Sequence, residues 1–214
     1  MPSLPASLTR RVHRYFWYFA MPLMGVTTSI IYLNDKVLEV TRIDGESMSP
    51  TLSRDFHTTG DGDYLLWRKW NPTAHIRRGD VVHFGSPVRP EANAVKRVVA
   101  LEGDTVLLDP RRRPRRERDG ADLPESRSWD QWPGRRATVP EGHVWVEGDN
   151  WRNSSDSNYY GPISKSLILG KAVAVVLPWK SFGEKPWEGF QGRTRVVPAF
   201  GKKKKVDDLA LILQ

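Results

Sequence analysis

The chain has 214 residues, 33 Lys and Arg against 25 Asp and Glu, a formal net charge of +8, and no cysteine. That length holds one core of ordinary size with appendages and excludes a multidomain machine. The lack of cysteine excludes disulfides, thiolate metal sites and a thiol nucleophile, so covalent chemistry falls to Ser, Thr, Lys or a carboxylate.

The first element is an apolar run. Tyr15 to Leu33 is nineteen residues without a charge, which at about 1.5 Å per residue approaches the roughly 30 Å core of a bilayer. Pro22 and Gly25 are tolerated in a membrane helix, and Tyr15, Phe16, Trp17 and Tyr18 suit an interfacial belt. A buried core helix or a cleaved signal peptide competes, but the run exceeds the roughly 7 to 15 apolar residues of a signal. Arg10, Arg11, His13 and Arg14 precede it, with no Asp or Glu before Asp35. An acid-free, Arg-bearing leader reads as a mitochondrial import segment, and it places those arginines on the matrix or cytoplasmic side and the rest of the chain across the membrane. Residues 1–34 are therefore expected to form a basic segment and a single transmembrane helix.

From Asp35 the pattern changes to short β-branched runs punctuated by Gly, Pro, Asp and Asn, which predicts a mainly β domain over residues 35–180. Strands are expected near Val37–Ile43, Tyr64–Trp67, Val81–Phe84, Ala94–Leu101, Thr105–Leu108, His143–Val146 and Lys171–Leu177. The Arg-, Pro- and Asp-rich stretch 109–138 is expected as a surface insertion, and 181–214 as a basic tail outside the core. From Arg111 to Arg136 nine Arg face five acids, a surplus of four, and Lys202–Lys205 add four more, so these two stretches account for the net charge. The basic balance thus describes a loop and a tail, and no nucleic-acid partner is expected.

Three segments carry chemistry. Ser47 stands in Gly45-Glu46-Ser47-Met48-Ser49-Pro50-Thr51, where Gly45 permits a tight turn and Pro50 fixes the exit, so the Ser47 N–H could face a developing oxyanion. Alone, such a serine is equally a turn residue. His57, His75, His83 and His143 lie in no triad context. Lys96 lies in Ala94-Val95-Lys96-Arg97-Val98-Val99-Ala100-Leu101, with Ala94, Val98 and Ala100 on its side of the strand and Arg97 on the other. Apolar neighbours disfavour the charged amine, and a neutral amine can take a proton from serine. The segment by itself also fits a surface lysine. The third segment, Gly148 to Pro162, is a structured loop in which Ser154 and Ser157 could orient an amine, while Asp149 and Asp156 suit loop N–H groups or an arginine.

The order of anchor, Gly-x-Ser-Met-x-Pro-Thr, Lys-Arg and Gly-Asp-Asn-x-x-x-Ser-x-Asp-Ser resembles the type I signal peptidases, and the ending Asp156 to Ser164 resembles their mitochondrial inner-membrane branch. The resemblance runs from the anchor to about Pro178. It implies a signal-peptidase-like β fold, Ser47 as nucleophile, Lys96 as general base, Ser154 as the hydroxyl orienting Lys96, and Met48 packed near the pair. Asp149, Arg97 and Asp156 would support the site. Gly45 stands where many bacterial relatives carry a hydroxyl residue, so backbone N–H groups are expected to form the oxyanion hole. Asn158 stands where an arginine is common. No metal or other cofactor is expected. The implied protein is an inner-membrane serine endopeptidase, with its catalytic domain in the intermembrane space, that removes sorting peptides from precursor proteins. Its expected partners are those precursors, membrane lipid and a sister catalytic subunit. Rival readings are a bacterial or plastid leader peptidase and an anchored, non-enzymatic basic binding module. A self-cleaving repressor would need a helix-turn-helix where this chain has an apolar span.

Overall fold

The computed structural model describes residues 13–112, 132–190 and 192–199. Arg10, Arg11, most of the Arg-rich stretch and Lys202–Lys205 lie outside them. Helix α1 (His13–Lys36) has none of its side chains buried and is long and apolar enough to cross a membrane. Its hydrogen bonding widens to π type over Phe16–Ala20, immediately before Pro22, which has no N–H to donate.

All seven expected strands form, as β1 (Leu38–Arg42), β2 (Tyr64–Arg68), β3 (Val81–Gly85), β4 (Asn93–Leu101), β5 (Thr105–Leu107), β7 (His143–Glu147) and β9 (Ile168–Leu177). Three more were not foreseen: β6 (Arg136–Thr138), β8 (Ile163–Ser164) and β10 (Arg195–Val197). Single helical turns α2 (Phe56–Thr59) and α3 (Ser157–Tyr160) complete the fold. The larger sheet has seven strands in the order β1-β2-β9-β3-β4-β7-β8, and the smaller has three in the order β10-β5-β6. All paired neighbours are antiparallel.

Two expectations need correction. The end of the 109–138 insertion is structural, because Arg136–Thr138 pairs with β5 and Ala137 is fully buried. The tail does not begin at 181: Trp187 is 5% exposed inside the core and Arg195–Val197 pairs with β5. In both places a few apolar side chains among charged neighbours suffice for a short strand, and those neighbours hid the pattern.

The core comprises three clusters. Ile43, Met48, Leu52, Leu65, Trp67, Val81 and Trp187 belong to the first, with Val95 packed against it. Val82, Phe84, Val98, Val144, Val146 and Tyr160 belong to the second, joined by Ala94. Ala100, Val106, Ala137 and Trp145 belong to the third. Strand β4 lies between β3 and β7, with Val82 opposite Lys96 and Val81 opposite Arg97. Directly opposed residues share a face, so Lys96 stands on the side of the second cluster and Arg97 on that of the first.

Candidate active site

Ser47 is held by the turn that leaves β1. Gly45 adopts φ +108°, a conformation L side chains rarely enter, so the turn requires glycine there. Beyond Ser47, the Ser49 amide donates to Glu46 O at 3.0 Å and Leu52 N to Met48 O at 2.9 Å. Met48 and Leu52 are 1% and 0% exposed, so two core side chains pin the turn on the C-terminal side of the serine. Among the described residues the Ser47 N–H has no acceptor.

Lys96 reaches this turn from β4. Its Nζ donates to Ser47 Oγ at 2.8 Å and to the Val95 carbonyl at 3.0 Å. The residue is only 5% exposed, on the face that carries Val82, Ala94 and Val98. Burial lowers its pKa to about 8, against the opposing pull of the Asp156 and Asp149 carboxylates. Ala100, expected beside it, packs in the third cluster instead, because the register breaks between Val98 and Ala100; a bulge re-aims the residues beyond it.

The Gly148-to-Asn158 loop closes the other side. Asn150 N donates to Ser47 O at 3.0 Å. A Cβ on Gly148 would overlap Ser154 Oγ and come 2.6 Å from Ser47 O, so this glycine serves close approach. Arg97 donates to both oxygens of Asp149, Nε at 2.8 Å and Nη2 at 2.7 Å, and both side chains are almost fully buried. That bidentate pair fixes the residue between Gly148 and Asn150. Asp156 accepts from Gly148 N at 2.9 Å, Ser154 Oγ at 2.7 Å and both nitrogens of Asn158, and it caps α3. Asn158 Nδ2 also donates to Glu147 at 3.1 Å, so a neutral amide joins two carboxylates.

One expected contact does not form. Ser154 does not hold the amine; its hydroxyl donates to Asp156 at 2.7 Å, and the second acceptor at Lys96 Nζ is the Val95 carbonyl. Sequence reasoning missed that carbonyl, the Asn150 amide and the role of Gly148. The first carried no sequence signal, but the other two stood in the Gly148-Asp149-Asn150 motif. We expect Gly148→Ala to displace the Ser47 carbonyl with a measurable loss of thermal stability; an unchanged melting midpoint would contradict this packing.

These side chains open onto a cavity of about 720 Å³ lined by Gly45, Glu46, Ser47, Ala94, Lys96 and Arg152, among others. None of His57, His75, His83 or His143 lines it. Among the described residues no three His, Asp or Glu side chains gather as a metal set. A hydroxyl and a water-starved amine facing such a cleft make an arrangement for acyl transfer.

The profile of the family described as "Signal peptidase, peptidase S26" matches residues 15–179. The chain belongs to the S26 signal peptidase family. As a signal peptidase of this family it is a serine peptidase. It is similar to the mitochondrial inner membrane protease subunit 2 of Schizosaccharomyces pombe, 36% identical over 176 residues, covering 81% of this chain and 85% of that protein. It is also similar to the Saccharomyces cerevisiae subunit 2, 33% identical over 72% of this chain and 76% of that one. The mouse subunit 1 is 37% identical over 67% of this chain and 72% of its own. Among solved structures, a signal peptidase I from Enterococcus faecalis aligns with a TM-score of 0.31 and 24% identity, covering 44% of this chain and 94% of that one. Among the described residues, this signal peptidase carries one helix, α1, long and apolar enough to span a membrane.

Proposed function

We propose that the protein is a membrane-anchored endopeptidase that removes sorting peptides from precursors directed to the mitochondrial intermembrane space, with Ser47 as nucleophile and Lys96 as general base. The observation that carries this reading is the 2.8 Å contact between a buried amine of lowered pKa and the Ser47 hydroxyl. In the neutral amine the contact reverses, with Ser47 O–H donating to Nζ. Lys96 takes that proton as Oγ attacks the scissile carbonyl, and the unpaired Ser47 N–H faces the developing oxyanion. The ammonium returns the proton to the leaving amine, giving an ester on Ser47. Water, deprotonated by the same amine, then releases the acid and restores the hydroxyl.

Helix α1 spans the inner membrane with Arg14 on the matrix side, leaving the β domain in the intermembrane space. The precursor lies extended in the cleft, its backbone pairing as an added strand. The relatives named as subunits of one protease favour a heteromer with a sister subunit and favour a mitochondrial setting over a bacterial or plastid one. The test uses the full chain in detergent with a synthetic precursor peptide, quenched in acid within milliseconds and mapped by mass spectrometry. The expected result is an adduct of the N-terminal product's mass on the peptide containing Ser47. Turnover with the adduct on another residue would overturn the assignment.

A further inference from the structure

Residues 184–190 and 192–199 lie beyond the family match, which ends at residue 179, yet they form a strap across the Arg97 face of the sheet. The strap leaves β9 through paired bonds, Val175 N to Glu184 O and Gly183 N to Val175 O, each 2.9 Å. Trp187 then enters the core cluster of Met48 and Val95, the residues adjoining Ser47 and Lys96. The Trp187 carbonyl accepts from Arg97 Nη1 at 2.9 Å, and the Phe190 ring centre lies 4.5 Å from the Arg97 guanidinium carbon. Further on, Thr194 Oγ1 donates to Glu147 Oε2 at 2.6 Å, β10 pairs with β5, and Ala199 N donates to Asp104 Oδ1 at 3.1 Å.

Arg97 links the strap to the site. With Nε and Nη2 on Asp149 and Nη1 shared by the Gly79 and Trp187 carbonyls, its donors are directed at fixed groups, and Phe190 covers a flat face. Asp149 stands between Gly148, which abuts the Ser47 carbonyl, and Asn150, whose amide donates to it. We infer that residues 184–190 and 192–199 are a positioning strap that holds the Arg97–Asp149 pair and, through Gly148 and Asn150, sets the place of Ser47. Trp187 and Phe190 are positioning residues in this scheme, which rests on the proposed serine chemistry only for its effect on rate. Stripping one face of the guanidinium lets water reach the ion pair, raises the local dielectric and frees the loop. A nucleophile that wanders by a fraction of an ångström then loses rate without losing substrate affinity.

Phe190→Ala suits the test because Phe190 is only half-buried, unlike Trp187, and Glu188→Ala on the exposed side of the strap is the control. Both are made in the full chain and read by amide exchange over residues 148–153 and by kcat and KM on a precursor peptide. In Phe190→Ala, exchange at Asn150 is expected to quicken about tenfold and kcat to fall about tenfold, with KM within about twofold of the parent and the β2 and β9 amides unchanged. Unchanged exchange at Asn150, or an equal rise throughout the domain, overturns the strap. The expected exchange pattern in a parent protein that cleaves no precursor upholds the strap and overturns the peptidase reading instead.

Discussion

Lys96→Met is expected to lose activity by on the order of 10⁴-fold and to gain stability at neutral pH. The two effects share one cause. An unfolded lysine holds its proton up to about pH 10.5, whereas the folded Lys96 releases it near 8. Below pH 8 the full cost of burying the cation weighs on the fold, about 3 kcal/mol for an amine brought down from 10.5 to about 8. The cost shrinks as pH rises from 8 to 10.5 and is gone above that. Methionine removes the charge at similar volume and forfeits two hydrogen bonds worth about 1 kcal/mol each, leaving a net gain of about 1 kcal/mol below pH 8 that turns into a net loss by pH 10.5. Urea unfolding at pH 7 and pH 10 measures it; a variant less stable than the parent at pH 7 contradicts the burial argument. The parent's kcat/KM should rise with an apparent pKa of about 8, so that activity at pH 6 is about a hundredfold below the plateau.

Arg97→Met should have the opposite profile, a collapse of stability. The variant leaves Asp149 charged, buried and unpaired, at a cost of about 3 to 5 kcal/mol, a large fraction of the stability of a domain this size. Pairing it with Asp149→Leu should recover much of the loss, because two apolar side chains carry no desolvation penalty, while activity stays low since Gly148 and Asn150 are no longer fixed. Equal instability of the single and double variants, compared by urea midpoint, argues against an uncompensated carboxylate as the cause.

The legible parts of this molecule were those with a period or a motif. Long β-branched runs such as Asn93–Leu101 and Ile168–Leu177 sit in the middle of the sheet with both neighbours paired, and their pattern survives in the sequence. The short strands at Arg136–Thr138 and Arg195–Val197 are flanked by charge and specified by partners distant in the chain, information that local alternation does not hold. At the site, Ser47, Lys96, Arg97 and Asp149 could be picked out through the motif resemblance, residue type alone leaving blander readings open, and the bond between Arg97 and Asp149 was not foreseen. The Val95 carbonyl could not, since any residue supplies one. Ser154 donates to Asp156, two positions along, while the Lys96 amine, a donor, finds its second acceptor in a main-chain carbonyl that residue type does not mark.

Only Val37 separates α1 from β1, and its carbonyl takes the amides of Lys69 at 2.8 Å and Trp70 at 3.4 Å. So short and doubly tied a joint transmits rotation as a rigid handle does. Any tilt imposed on the helix by its surroundings is passed to the cleft, whose height and bearing are thereby set by α1 and its joint. Two glycines inserted after Lys36 would turn that handle into a tether.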